Sequence, residues 1–474
     1  MKGFILGLAF VLPLMASAQS TDSYQIEVQI DNFEGSELYL AYYLINNQYI
    51  LDTVPVTNGV GVFSGKELLK SGMYLVVLPP DNRYFQLLID QDDQIFKVHA
   101  NNPTDPGLDL QIEGSADNQL FYDYLKLLAE QRPKANKLRE EIDAASGSKK
   151  EKLEAQMEKL NDSVLSYQMD IVEKYPNTLT AALIKSNLPI AEMPEFEGED
   201  AATRQWQWSK KHYFDNLDLA DPRMLRMPFL FQRVDNYIQK MTVQHPDSIS
   251  ESLYRVLQAM LPAEETFKHF VVHYVNEYAA SKIIGFDAVY VFLVDTYYAK
   301  GLTPWTEQEQ LDKMVDNANR LRPLLIGKVA PDFSSQDKDG NQYTLHTFEA
   351  DYTILFFWDP GCGHCKKSMP DMINLYNEYK DKGVEIFAVC TKFYNEMESC
   401  WDFVEEKEIG IWLNTVDPYH RSKYKTIYDI KSTPQIYILD KDKTILYKRL
   451  SVEQIPDILD QLLLEKESLP EGSH

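Results

Sequence analysis

Tyr352-Thr353-Ile354-Leu355-Phe356-Phe357-Trp358-Asp359-Pro360-Gly361-Cys362-Gly363-His364-Cys365 is the stretch on which the reading of this chain turns. The apolar run from Tyr352 to Trp358 reads as a strand, and the residues after Cys362 read as a helix. Two cysteines with two residues between them therefore stand at the mouth of a strand and in the first turn of a helix. There they can close a small disulfide ring and reopen it, which makes the chain a candidate for thiol-disulfide exchange. The partial positive charge of a helix N-terminus favours a thiolate on Cys362.

Working outward, strands alternate with helices from Gly327 to the end, the pattern of an α/β domain. Val329 to Phe333 and Gln342 to Leu345 flank the turn Asp337-Lys338-Asp339-Gly340-Asn341 as a hairpin. The helix from Cys362 runs to about Lys382. Strand Val384 to Cys390, a helix around Glu396 to Glu406 and strand Ile411-Trp412-Leu413 follow. Strands Gln435 to Leu439 and Thr444 to Lys448 enclose a turn, and a helix from Val452 to Leu464 closes the chain. Arg322 to Gly327 reads as the linker into this domain.

Upstream the period changes twice. Residues 19–114 read as an all-β sandwich: Tyr24 to Ile30 alternates apolar and polar side chains, and turn signals recur at Asn32 to Ser36, Asn46-Asn47, Asn58-Gly59 and Pro79 to Asn82. Its aromatic segment Leu38 to Tyr49 is expected to serve core and strand pairing. Residues 115–322 read as an all-α domain. Ser115-Ala116-Asp117-Asn118 can cap its first helix, and the charged stretch Leu138 to Tyr175, interrupted at Ala144 to Ser148, reads as a helical hairpin. The aromatics from Trp206 and Trp208 through Tyr213-Phe214 to Phe292 and Tyr297-Tyr298 are expected in the core. His212, His269 and His273 show no metal-ligand pattern.

Residues 1–18 read as a secretory signal. Met1 and Lys2 precede an apolar stretch from Phe4 to Met15, and Ala16-Ser17-Ala18 is the small-residue pattern cut by a signal peptidase. The mature chain is then expected near Gln19, with no membrane span. A formal net charge of -25 argues against a nucleic-acid partner, because phosphate binding needs a basic stripe and none is visible. All 4 cysteines lie beyond residue 361, so cysteine chemistry belongs to the 327–474 domain alone. Cys390, ending a buried strand, and Cys400, on the next helix, are expected as free buried thiols, with pairing open to them in an oxidising compartment.

Phe357-Trp358-Asp359-Pro360-Gly361-Cys362-Gly363-His364-Cys365-Lys366, Thr433-Pro434 and the entry segment Gly327 to Phe333 together resemble the secreted thioredoxin-like proteins of the TlpA/ResA group, which overlap the AhpC/TSA superfamily. The resemblance covers Gly327 to the end and implies a thioredoxin-like fold. It implies Cys362 as nucleophile, Cys365 as resolving cysteine and Pro434 as a cis-proline that sets the Thr433 backbone beside the cysteines, where it can pair with an extended substrate. His364 should stabilise the Cys362 thiolate and make the couple more oxidising than a Cys-Gly-Pro-Cys one, whereas the group mostly reduces its targets. The direction of electron flow is therefore open.

Two positions depart from the thioredoxin pattern. The buried acid expected two residues before the first tryptophan is Phe356, and the tryptophan before the nucleophile is Gly361. Trp358 matches the earlier tryptophan and is expected beneath the disulfide, among the substrate-binding residues with Thr433 and Pro434. Glu396 or Glu398 could replace the lost acid, though a solvated helix face suits both. A peroxidase would place threonine three residues and proline seven residues before its cysteine, where this chain has Asp359 and Leu355. Neither a metal nor a haem is implied: Cys362, His364 and Cys365 are too close to hold a metal without a distant fourth ligand, and Lys366 stands where haem attachment needs histidine. No other cofactor is implied.

The expected partners are protein disulfides or dithiols and a membrane or periplasmic electron-transfer protein, with self-association of the upstream modules left open. The rival reading is a redox-inactive binding or scaffold protein with a vestigial thioredoxin domain.

Overall fold

The computed structural model describes residues 23–468 apart from 105–106, 108 and 191; the expected signal peptide, 1–18, lies outside them. By contact density the chain divides into two units, one running to Met241 with Gln258–Phe267 added, the other comprising Thr242–Leu257 and everything from Lys268.

In β1 (Tyr24–Ile30), Tyr24, Ile26, Val28 and Ile30 are buried and the residues between them are not, as the two-residue period of a half-covered strand requires. Seven more strands follow: β2 (Glu37–Leu44), β3 (Asn47–Pro55), β4 (Val60–Gly65), β5 (Gly72–Leu78), β6 (Arg83–Ile89), β7 (Ile95–Ala100) and β8 (Leu110–Glu113). They make two 4-stranded sheets, ordered β4-β1-β7-β8 and β3-β2-β5-β6. Every neighbouring pair is antiparallel except β1 with β7. The sheets face one another as a sandwich: a Cβ on Gly61 of β4 would meet Leu38 of β2 at 3.1 Å and Val54 of β3 at 3.3 Å. Tyr42 and Tyr49 stack across β2 and β3 at 5.8 Å, so the aromatic segment does serve strand pairing.

Helices take over at Ser115, whose Oγ accepts the Asn118 N–H at 3.2 Å to cap α1 (Ala116–Asp143). Asn118 also docks this helix on the sandwich, its Oδ1 accepting from the Leu88 N–H at 2.8 Å and its Nδ2 donating to the Leu88 carbonyl at 2.6 Å. The hairpin partner α2 (Ser148–Lys174) and then α3 (Leu179–Asn187) follow, and buried Asp117 caps α3 by accepting from the amides of Leu179 and Thr180. One expectation fails at α4 (Ala201–His212), which buries none of its residues. Trp206 and Trp208, two positions apart, are about 200° apart around a helix and cannot share one core-facing stripe. The aromatics of α5 (Leu230–Gln239) and α7 (Glu264–Ala280) are different: Tyr237 and Tyr274 are fully buried, as is Tyr297 beyond α8 (Asp287–Leu293). The remaining helices here are α6 (Pro246–Met260) and α9 (Gln308–Leu321).

The C-terminal elements are β9 (Ser334–Gln336), β10 (Gln342–Thr344), β11 (Tyr352–Trp358), α10 (Gly363–Tyr379), β12 (Val384–Cys390), α11 (Glu398–Glu406), β13 (Leu413–Val416), α12 (Tyr424–Ile427), β14 (Gln435–Leu439), β15 (Ile445–Lys448) and α13 (Ile455–Ser468). The hairpin's first strand starts at Ser334 rather than at Val329, because the backbone before it is committed elsewhere: Val329 bridges Thr444 and the Ala330 N–H donates to the Lys443 carbonyl at 2.8 Å. The strands form one 7-stranded mixed sheet, β10-β9-β13-β12-β11-β14-β15, the thioredoxin-like α/β architecture expected. β11 is buried along its whole length. Ile354, Phe356 and Trp358 enter one core, Leu355 and Phe357 the core on the other face, which is why this strand reads as an unbroken apolar run.

The stretch read as a linker is stitched down. The Gly327 N–H donates to the Ile445 carbonyl at 2.8 Å, and Leu324 is buried in the second core. Buried Lys448 donates to the Leu324 carbonyl at 2.6 Å and pairs with Asp287 of α8, so α8 and β15 share a desolvated ion pair.

Candidate functional site

Strand β11 delivers the chain to the turn Asp359-Pro360-Gly361, and the turn is held by Asp359. Its carbonyl accepts the Cys362 N–H at 3.0 Å and its Oδ1 accepts the Gly361 N–H at 2.6 Å. Cys362 then occupies the N-cap of α10 with extended backbone, φ -78 and ψ 119. Its sulfur accepts the Cys365 N–H at 3.4 Å, the role a serine or aspartate side chain has at an ordinary N-cap. On the other side the Cys362 thiol donates to the Thr433 carbonyl at 3.1 Å.

The sheet register explains that second contact. Phe357 of β11 pairs with Gln435 of β14, so the residues just past one strand and just before the other are neighbours. The Thr433-Pro434 peptide is cis, and both residues are half-buried. Cys362, Cys365, Thr433 and Pro434 thus come together from two segments about seventy residues apart in sequence.

The two sulfurs of the pair live in different surroundings. Cys362 is partly exposed and Cys365 is 0% exposed. Burial works against ionising Cys362, but hydrogen bonding from the Cys365 amide, the Thr433 hydroxyl and the His364 amide outweighs it, and the thiol is held below its ordinary range. The Thr433 carbonyl opposes this by accepting from the protonated thiol, yet the donors prevail. Burial pushes Cys365 up to about 12; the Asp359 amide offsets part of this and the neighbouring Cys362 sulfur adds to it. The arrangement joins an ionisable sulfur at the surface to a protonated one within reach beneath it.

His364 is exposed on the first turn of α10. Trp358 is 1% exposed and packs at 5.3 Å from Phe403, in the core that also holds Cys365. It lies under the site and cannot touch a docked chain directly. Phe356 sits in the same core, so that strand carries no acid beneath Cys365.

The acids nearest the turn are held by a lysine. Lys392 Nζ lies 3.4 Å from Asp359 Oδ2 and 3.5 Å from Glu396 Oε1. Glu396 therefore precedes α11 and is committed to an ion pair, not displayed on a helix face; Glu398 opens the helix itself. A Cβ on Gly361 would lie 3.1 Å from Asp359 Oδ1 and 3.9 Å from Lys392 Nζ. The space beside the missing tryptophan is thus bordered by an ion pair. Asp359 and Lys392 were not singled out from sequence as site residues, since no local signal pairs a residue on the first loop with one beyond β12. Tyr424, whose ring stacks on Phe357 at 5.6 Å, belongs to the core on the other face of the sheet from Cys365.

Cys390 and Cys400 form a disulfide, with Cα atoms 6.3 Å apart, contrary to the expected free thiols. Cys390 pairs in register with Trp358, and the Thr391 N–H donates to the Trp358 carbonyl at 2.9 Å. The loop that follows turns back so that α11 crosses the strand end within bridging distance. Both sulfurs are buried in the core that holds Cys365.

The AhpC/TSA family model matches residues 326–448, and two domains of unknown function match upstream, DUF4369 over 24–121 and DUF5106 over 145–321. The thiol-disulfide oxidoreductase ResA of Bacillus cereus is 32% identical over 141 residues, 30% of this chain and 78% of that protein. Its counterpart in Bacillus anthracis is 44% identical over 149 residues, again 30% of this chain and 78% of that protein. A solved structure, a domain of a possible thiol-disulfide isomerase from Cytophaga hutchinsonii, is 37% identical and covers 31% of this chain and 99% of that one, with a TM-score of 0.29. The chain belongs to the ResA-like thiol-disulfide oxidoreductases, with an AhpC/TSA domain at its C-terminal end and two further modules before it.

Proposed function

We propose that this chain exchanges disulfides with protein partners in the periplasm through the Cys362-Gly363-His364-Cys365 dithiol. The observation that carries the reading is the contrast within the pair: Cys362 is solvent-reachable and eased toward thiolate, while Cys365 is buried and held protonated. The Cys362 thiolate attacks one sulfur of a partner disulfide, and the other partner sulfur leaves and takes up a proton. Cys365 then loses its proton and attacks the Cys362 sulfur, which forms the Cys362–Cys365 disulfide and frees the second partner thiol. Two electrons pass to the partner, and the same steps in reverse oxidise a dithiol. The Thr433 backbone and Pro434 border the place where an extended substrate would lie, His364 favours the thiolate, and Trp358 supports the pair from the core. Residues 1–18 fit export, and an envelope electron-transfer protein would reset the dithiol.

Insulin reduction or glutathione-coupled exchange tests this. The wild-type chain is expected to turn over and Cys362→Ser to be inactive; equal rates for the two would end the proposal.

A further inference from the structure

The loop after β12 and the loop after β13 meet beside the proposed nucleophile, and together they display aromatic rings to solvent. Phe393, Tyr394 and Tyr419 are 50%, 57% and 56% exposed, although each ring is part of a stack. Phe393 lies on His420 at 3.9 Å and Tyr394 on Tyr419 at 5.2 Å, with interplanar angles of 19° and 14°. A backbone hydrogen bond from the Tyr394 N–H to the Pro418 carbonyl, 2.9 Å, ties the two loops together. These rings are therefore held in place yet leave large apolar faces in water, a cost that folding alone does not recover.

Two cations complete the shelf. The Arg421 guanidinium sits 5.0 Å from the Tyr419 ring centroid and the Lys425 ammonium 4.9 Å from that of Phe393. Among the described residues neither forms an ion pair with a carboxylate, although acids outnumber bases in this chain, 72 to 47. The acids that act on Lys425, Asp359 and Glu396, are taken up by Lys392. Lys392 in turn borders position 361, one residue from Cys362. The shelf thus begins where the exchange site ends.

We infer that this shelf is the recognition surface for the protein partner, and that it takes a segment next to the partner's cysteine carrying an aromatic or large apolar side chain together with acidic residues. Rigid stacked rings give contact area at little entropic cost, and uncommitted cations at the rim select for carboxylates. A chain of net charge -25 repels acidic partners at long range, so an acidic segment finds attraction only where such cations stand. The inference rests on the exchange activity proposed above and names the partner's chemistry.

The test uses the reduced full chain and three peptides, each a mixed disulfide with glutathione, that differ only beside the cysteine: Glu with Phe, Gln with Phe, and Glu with Ala. For wild type, the second-order rate constant for single-turnover oxidation of the reduced chain is expected to be about tenfold higher for the Glu–Phe peptide than for either other peptide. Arg421→Glu with Lys425→Glu is expected to abolish or invert the preference for Glu over Gln. Arg421→Gln with Lys425→Gln, whose unfolding by urea should match wild type, repeats the test without new charge. Rates within twofold across the peptides, or a preference that survives both double variants, overturn the shelf while leaving disulfide exchange intact. No turnover of any peptide, together with inactivity on insulin, overturns both readings.

Discussion

Two cysteine pairs sit in one domain and share one core, yet they are suited to opposite ends. Cys362 and Cys365 are free, three residues apart, at a helix N-terminus and against the Thr433 carbonyl, with one sulfur at the surface. Cys390 and Cys400 are bonded, separated by 10 positions, and both are buried. The first pair has donors aimed at the sulfur that the proposed exchange requires to ionise; the second has no solvent access through which a thiolate could attack or be attacked. Reactivity here follows from exposure and hydrogen bonding, not from the mere presence of two cysteines.

The sharpest way to break the comparison is to remove one sulfur from the pair proposed to be active. Cys365→Ser is expected to lower turnover on the order of a thousandfold or more and to accumulate Cys362–partner mixed disulfides on non-reducing gels. If turnover persists, Cys365 is not the resolving group.

Next in size is the buried pair. Replacing Cys390 and Cys400 together by alanine should cost about 3 kcal/mol of stability, the loop-closure contribution of a disulfide spanning roughly ten residues, read by urea unfolding. Insulin reduction by the folded variant should remain close to wild type. A variant of unchanged stability with lost activity would reverse the roles assigned to the two pairs.

The active pair can also be resolved within itself. Alkylation of the reduced chain by iodoacetamide, followed against pH by mass spectrometry, should rise first at Cys362. Because its pKa is lowered, its rate should level off at a lower pH than that of an ordinary thiol. Cys365, pushed up to about 12, should stay unmodified through the neutral range. Equal labelling of both near neutrality would contradict the contrast on which the reading depends.

The smallest effect expected is at His364. His364→Pro removes a group beside the thiolate and should lower the reduction potential of the dithiol by roughly 30 mV, measured by equilibration with glutathione. A potential that does not move would leave His364 without a tuning role.

Local patterns carried much of the fold. β12 and β14 occupy the ranges expected, and the helical hairpin turns between Asp143 and Ser148, because apolar runs, capping residues and breakers act over a few neighbours. β13 begins at Leu413, where the expected strand ends, and the short α12 was not foreseen, since tertiary packing of Trp412 and Tyr424 outweighs weak local preference there. The tryptophans of α4, half-buried and not in a core, show the same limit: aromatic content suggests a core, but only periodicity with a partner surface makes one.

By itself the sequence determined the cysteine quartet and its strand-to-helix setting, the Thr433-Pro434 dipeptide, and the succession of β, helical and α/β regions. These depend on spacing and side-chain type. The tertiary structure alone decided that Lys392 joins Asp359 beside Gly361, that Cys390 bonds Cys400, and that the rings of two loops form one shelf. Each of those joins residues whose proximity comes from sheet order and register, and interactions that weaken over a few ångströms cannot be read from positions distant in sequence.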